Sequence, residues 1–217
     1  MKKLIKICGL STPDTLESAI EAGADLVGFV RFPKSPRHVE IAQGTELALQ
    51  AKGRVSRVVL TVDAPDAELD EIMHRIAPDI LQFHGNETPQ RVEEIRSRYG
   101  IPIFKALGIG SAGDLAAITL FQGIADTILL DAKPAPDALL PGGNGKAFDW
   151  QLLTGIDPAV SFMLSGGLNP DNIAEAIQIT GASSVDVSSG VERTKGAKDG
   201  DLIRAFIHNA RAAWNTH

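Results

Sequence analysis

The sequence predicts a single (β/α)8 barrel, a TIM barrel with a parallel eight-stranded core, formed as one domain by residues 1–217. Three observations carry this. Eight short apolar runs alternate with longer amphipathic ones. The strand–helix unit recurs at a period of roughly 25–30 residues, without evident sequence repetition. The length of 217 residues holds eight such units and encloses a full core without disulfide or structural metal. A doubly wound open sheet is the competing arrangement; no G-x-G-x-x-G follows the first apolar run, which weakens its dinucleotide-binding form.

The strand-like runs are Leu4–Cys8, Leu26–Val30, Val55–Val62, Ile80–His84, Ile101–Leu107, Thr127–Asp131, Ser161–Ser165 and Ser184–Val187. Each is short and rich in Val, Ile, Leu or Phe, as strands covered on both faces are. Helix signals lie between them. Ser11-Thr12-Pro13-Asp14 opens a run with Leu16, Ala19 and Ile20 at helical spacing, stopped by Gly23. Asp63-Ala64-Pro65-Asp66 precedes Leu69, Ile72, Met73 and Ile76. Thr88-Pro89-Gln90 opens Val92, Ile95 and Tyr99, stopped by Gly100. Asn169-Pro170-Asp171 opens Ile173, Ala174 and Ile177, stopped by Gly181. Proline just inside a helix start and glycine just past its end is the asymmetry helix termini favour. The longest irregular stretch, Ala132 to Lys146, reads as a mobile loop.

Composition narrows the function. With 21 Lys+Arg against 27 Asp+Glu, the formal net charge is −6, which argues against a nucleic-acid or membrane surface as partner. Aromatic residues at 5% are too few for a base-stacking platform. One cysteine excludes an internal disulfide framework and a Cys-rich zinc module. No apolar run approaches the roughly 18 residues of a membrane span, and no secretory or transit signal is evident. A cytoplasmic protein is expected.

In such a barrel the site forms at the C-terminal ends of the strands, so the polar residues that end the apolar runs are the candidates. Side-chain alternation puts Lys6 and Cys8 on one side of the first strand and Ile5 and Ile7 on the other. With the apolar pair facing the helices, Lys6 and Cys8 face the barrel axis. The same parity turns Gln82 with His84, and Leu129 with Asp131, inward, so three proton-moving groups converge on one mouth. Other readings stand beside these. A lone cysteine is often a small buried hydrophobe, Asp131 can serve as a cap or a partner of Lys133, and His84 can be a hydrogen-bonded structural histidine. An inward lysine next to Cys8 favours the thiolate.

Glycines mark an anion site. Ser165-Gly166-Gly167-Leu168-Asn169-Pro170 is a strand end, a glycine pair and a helix start, and Ser188-Ser189-Gly190 ends the next strand. Glycines let backbone N–H groups approach an anion, and phosphate binding after strands seven and eight recurs in these barrels. A second cluster after strand six, Pro141-Gly142-Gly143-Asn144-Gly145-Lys146, reads either as a flexible loop or as a lid over a phosphorylated substrate. After strand two, Phe32-Pro33-Lys34-Ser35-Pro36-Arg37 presents two cations on a proline-stiffened loop, and Arg37 can bind a carboxylate through two parallel hydrogen bonds.

Taken together the motifs are specific. Lys6-Ile-Cys-Gly9, Gly28 through Arg37, Leu81-Gln-Phe-His-Gly85, Leu129-Leu-Asp131, Gly142 through Trp150, Leu164-Ser-Gly-Gly-Leu-Asn-Pro170 and Val185-Asp-Val-Ser-Ser-Gly-Val-Glu192 resemble, in order and over nearly the whole chain, the phosphoribosylanthranilate isomerases of tryptophan biosynthesis. The resemblance implies an Amadori rearrangement of N-(5′-phosphoribosyl)anthranilate to 1-(o-carboxyphenylamino)-1-deoxyribulose 5-phosphate, with no metal and no cofactor. It implies Cys8 as general base, Asp131 as general acid and Arg37 as ligand of the anthranilate carboxylate. His84 and Asp186 rank second, as residues that shape or polarise the site. The chemistry asks for a lowered thiol pKa and a raised carboxyl pKa, the first supplied by Lys6 and the second by the apolar run before Asp131. One departure is Arg31, where an apolar or aromatic residue is expected; it adds a cation near the mouth. Partners beyond the small-molecule substrate are not implied, and monomer and homodimer both stay open.

Overall fold

A computed structural model describes residues 3–134, 140–143, 145, 147–157 and 160–215. Residues 135–139, Asn144 and Lys146, which belong to the stretch read as a mobile loop or lid, lie outside the described residues.

Eight parallel strands close into a barrel in chain order. They are β1 (Leu4–Cys8), β2 (Leu26–Arg31), β3 (Ser56–Thr61), β4 (Ile80–Phe83), β5 (Ile103–Ile109), β6 (Thr127–Ala132), β7 (Phe162–Leu164) and β8 (Ser184–Val187). β5 starts two residues later than the apolar run because Pro102 precedes it; proline has no N–H to donate, and its carbonyl accepts from Leu81 N instead.

The helices begin where capping chemistry allows. α1 (Pro13–Glu21) opens behind Thr12, whose hydroxyl accepts from Thr15 N. α2 (Ile41–Ala51) and α3 (Asp66–Arg75) follow β2 and β3. α4 (Pro89–Tyr99) opens behind Thr88, which accepts from Arg91 N, and stops at Gly100 with φ 64°. After β5 a 3-10 turn, Ala112–Ala116, leads into the one-and-a-half-turn α5 (Ala117–Phe121). α6 (Ile173–Thr180) starts later than Pro170, because Asn169 Oδ1 accepts from the N–H groups of Asp171 and Asn172 and forms a turn first. α7 (Gly200–Asn215) closes the ring. The sixth unit departs from the expected alternation: among the described residues β6 is followed by a 3-10 helix, Trp150–Gly155, in place of an α-helix.

Strand parity divides the interior. Ile5, Ile7, Val27, Phe29, Val59 and Leu81 point outward into the apolar layer beneath the helices. Leu26, Val58, Phe104, Ala106, Leu129 and Met163 fill the barrel axis, and Cys8, Val30 and Leu60 form a separate cluster. α7 seals the outer layer through Ile203, Phe206, Ile207, Ala210 and Trp214, whose indole N–H donates to Ala182 O at 2.8 Å.

The interior also holds charge. Lys6 of β1 is fully buried and paired in register with Asp186 of β8, Nζ to Oδ1 at 2.8 Å; Ser165 Oγ donates to Asp186 Oδ2 at 3.2 Å. Removing one partner of such a pair leaves an uncompensated buried charge. Lys6→Met is therefore expected to cost about 3–5 kcal/mol of stability, read as a lowered midpoint in urea unfolding at unchanged slope, and much of it should return in Lys6→Met/Asp186→Leu.

Beyond β8 the chain adds an antiparallel hairpin outside the barrel, β9 (Glu192–Thr194) and β10 (Ala197–Lys198). Gly196 turns it at φ 85°, and a Cβ there would meet Pro36 O at 2.8 Å, so the hairpin rests directly on the loop after β2.

Candidate active site

The C-terminal strand ends enclose a cavity lined by Cys8, His84, Asp131, Gly166, Gly167 and Ser189 among others. β1 contributes Cys8. The turn that follows is fixed because Gly9 N and Leu10 N both donate to Gly28 O, at 2.8 and 3.1 Å. Gly28, across on β2, has no room for a side chain: a Cβ would lie 3.0 Å from Cys8 Sγ and 3.3 Å from Lys6 Cε.

Cys8 is buried, and burial pushes its thiol above the ordinary value. The Lys6 ammonium opposes that rise, but the Asp186 carboxylate beyond it adds to it. The expectation of a lowered thiol pKa is thus reversed, because burial, helped by Asp186, outweighs the pull of Lys6. Burial also works against the charge of Lys6, but Asp186 and Cys8 outweigh it and hold the ammonium above its usual range.

On the opposite wall Asp131 ends the inward row of β6. Its Oδ1 accepts from Ala132 N at 2.8 Å, and its Oδ2 stands 3.2 Å from His84 Nε2. His84 is held from behind: its backbone N donates to Thr61 O, and Gln82 Nε2 lies 3.3 Å from its Nδ1. With the Gln82 amide donating to Nδ1, the neutral imidazole carries its proton on Nε2 and presents it to Asp131. Gln82 Oε1 is buried without a partner.

Gly166 and Gly167, at φ 85° and 66°, make the turn after β7. A Cβ on Gly166 would lie 2.5 Å from Ala132 N, so only glycine fits against the end of β6. Among the described residues the N–H groups of Gly166, Gly167 and Ser189 donate to no protein acceptor, and all three residues line the cavity. Unengaged backbone donors gathered at one wall in this way are the kind of arrangement that suits an anion. Ser188 lines the same wall; Gly190 stands behind it, packed on the Leu168 carbonyl, and is not part of the lining.

From the stretch after β6, Leu140, Pro141, Gly142 and Gly143 lie over the mouth. A Cβ on Gly142 would collide with Asp131 Oδ2 and His84 Nε2, so only glycine fits there. Gly143 O accepts from Arg37 Nη2 at 3.2 Å.

Two readings of the loop after β2 change. Lys34 is exposed and away from the cavity, so the loop brings one cation, Arg37, to the wall. The guanidinium of Arg37 is buried and already engaged: Nε donates to Glu192 Oε1 at 2.6 Å and Nη2 to Glu192 Oε2 at 3.0 Å. Its Nε edge is closed to a substrate and its Nη2 is also held by Gly143 O, so among the described residues Nη1 is the group left without a protein acceptor. Arg31, in turn, is not near the mouth. It continues β2 by one residue and so points outward, donating to Val39 O at 2.7 Å and facing Glu68.

A family model described as N-(5′-phosphoribosyl)anthranilate isomerase matches residues 5–209. The chain belongs to the phosphoribosylanthranilate isomerase family. An N-(5′-phosphoribosyl)anthranilate isomerase of Rhodopseudomonas palustris (strain BisB5) is 53% identical over 213 residues, covering 98% of each chain. The phosphoribosylanthranilate isomerase of Thermotoga maritima superposes with a TM-score of 0.86 at 35% identity, over 98% of this chain and all of that one. A further crystal structure, of a family member in complex with reduced 1-(o-carboxyphenylamino)-1-deoxyribulose 5-phosphate, gives 0.84 at 32% identity with the same coverage.

Set against the family motifs quoted above, two residues at this site received no role from the sequence. Glu192 closes the last motif, and Lys198 lies beyond it. The signal available was modest: an acid and a base six residues apart around Gly196, without an amphipathic pattern to place them on a helix.

Proposed function

We propose that the chain isomerises N-(5′-phosphoribosyl)anthranilate to 1-(o-carboxyphenylamino)-1-deoxyribulose 5-phosphate in tryptophan biosynthesis, by an Amadori rearrangement. The observation that carries the reading is Cys8 and the His84–Asp131 pair facing one cavity that also holds the backbone cradle of Gly166, Gly167 and Ser189.

The phosphate of the substrate takes the cradle, where N–H groups meet it without a side chain in the way. The anthranilate carboxylate takes Arg37 Nη1. Asp131, as the acid, gives its proton to the ribose ring oxygen as the bond from C1 to that oxygen breaks, and the amine nitrogen supplies the electron pair that makes the protonated imine. Cys8, as thiolate, removes the proton from C2, and that electron pair forms the C1–C2 double bond of the enolamine as the C1–N π pair returns to nitrogen. Gain of a proton at C1 and loss of the C2 hydroxyl proton give the ketone, so the aldose is reduced at C1 and oxidised at C2 with no external redox partner. His84 steadies the Asp131 carboxyl through Oδ2. Asp186 holds Lys6 beside Cys8, where the ammonium stabilises the thiolate once it forms.

The test is loss of phosphoribosylanthranilate fluorescence in a coupled assay with a metal chelator present; absence of turnover would refute the proposal. Arg37→Ala is expected to raise KM by about tenfold or more, with a smaller change in kcat, since a charge-assisted bond to a bound carboxylate acts on ground state and transition state alike. An unchanged KM would remove Arg37 from carboxylate binding.

A further inference from the structure

The Glu192 carboxylate is saturated. Oε1 accepts from Arg37 Nε at 2.6 Å and Lys198 Nζ at 2.8 Å; Oε2 accepts from Arg37 Nη2 and Gly196 N, both at 3.0 Å. Lys198 is equally committed: besides Glu192 it donates to Ser188 O at 2.8 Å and Ser188 Oγ at 3.2 Å. Both side chains are almost wholly buried. A buried carboxylate between two cations leaves a net charge of +1 in a cluster that touches Arg37 on one side and the turn after β8 on the other.

We infer that Glu192 and Lys198 are positioning residues, and that the β9–β10 hairpin sets the Arg37 guanidinium for the substrate carboxylate and ties it to the phosphate-binding turn after β8. The inference rests on Arg37 being the carboxylate ligand. Three features support it. Glu192 fixes the guanidinium plane from the edge that faces away from the open Nη1, so the arginine meets a carboxylate without first losing rotamer freedom. Gly9 lets the arginine stem pass, as a Cβ there would sit 2.6 Å from Arg37 Cδ. The hairpin itself abuts Pro36, next to the residue it positions.

The charges agree with this role. Burial raises the Glu192 carboxyl, but Arg37 and Lys198 overcome it and hold it at about 2, so it stays ionised throughout the working range. Burial lowers the Lys198 ammonium to about 8 against the opposing pull of Glu192. The groups facing Lys198 are Glu192 on its own hairpin, Arg37 from the loop after β2, Cys8 from β1 and Ser188 after β8. Below pH 8 Lys198 is charged and the cluster keeps its net positive charge; above it that charge is lost, and a carboxylate ligand is held less tightly.

The experiment measures equilibrium binding of reduced 1-(o-carboxyphenylamino)-1-deoxyribulose 5-phosphate and of its counterpart without the ring carboxylate. Glu192→Gln is expected to weaken the first by about tenfold and the second by less than about twofold, and to have no further effect in an Arg37→Ala background. Equal loss for both ligands, no loss for either, or a loss that persists without Arg37 would overturn the inference. In wild-type protein, affinity for the carboxylate-bearing ligand is expected to fall as pH rises through about 8 and to stay flat over that range in Lys198→Met; a flat wild-type profile removes Lys198. The pH arm needs no variant to fold. Wild-type turnover is scored apart: its absence fails the proposed function, whereas turnover with unaltered Glu192→Gln binding fails this inference alone.

Discussion

Cys8→Ser is expected to lower kcat by about a thousandfold or more while leaving the melting temperature within a few degrees. The two side chains are nearly isosteric, so the buried cluster with Val30 and Leu60 keeps its packing. The hydroxyl, however, stays protonated at any pH the fold survives, and proton abstraction by a positioned base contributes about 10²–10⁴-fold. The pH profile gives a second readout. Burial holds the Cys8 thiol above its ordinary value, so the thiolate is a minor species at neutral pH and gains on deprotonation. The single-turnover rate at saturating substrate should therefore climb with pH through the neutral and mildly alkaline range, and Cys8→Ser should abolish that climb. Wild-type activity in Cys8→Ser would sink the assignment of the base.

Asp131→Asn is expected to have an effect of comparable size, again on kcat. The amide keeps the shape and can still meet His84 Nε2 and Ala132 N, but it has no proton to give the ring oxygen. Ring opening then depends on water in place of a positioned acid. A diagnostic contrast starts from the open-chain product: if the barrier lies at ring opening, Asp131→Asn slows the cyclic substrate and spares exchange of the product's C1 protons with solvent through the enolamine. Equal loss of both would place Asp131 elsewhere in the sequence of steps.

The order of strands, the inward parity of Lys6, Cys8, His84 and Asp131, and the glycine turns after β7 and β8 were all legible because each follows from local rules. Alternation has a period of two, and a strand end is marked by glycine or a polar residue. What escaped depended on partners far along the chain. Lys6 beside Cys8 reads locally as a cation that stabilises a thiolate. Its actual partner, Asp186, is 180 residues away, and together with burial it turns the direction of the thiol shift. Arg37 reads as a free cation until Glu192, 155 residues on, closes one edge. Arg31 was misplaced for a different reason: the apolar run ends at Val30, yet the strand continues one residue further, and alternation then sends the side chain outward. Among the described residues of the sixth unit, the helical segment is the short 3-10 turn at Trp150–Gly155, which the sequence, read there as an irregular proline- and glycine-rich stretch, did not mark.

The Lys6–Asp186 pair also bears on how the chain becomes active as it folds. β1 and β8 are the first and last strands, and the pair spans their seam. Until β8 docks, Lys6 has no anion to meet, and a barrel of seven strands would hold a bare ammonium on its axis, at a cost of several kcal/mol. The seam is the contact of longest sequence separation among the strand pairs and the slowest kind to form. Partial barrels are thus penalised electrostatically, and the environment of Cys8 comes into being only with ring closure. Folding that stalls before the last strand should yield inert protein, so regain of activity on refolding should track docking of β8 and lag behind the recovery of helical signal.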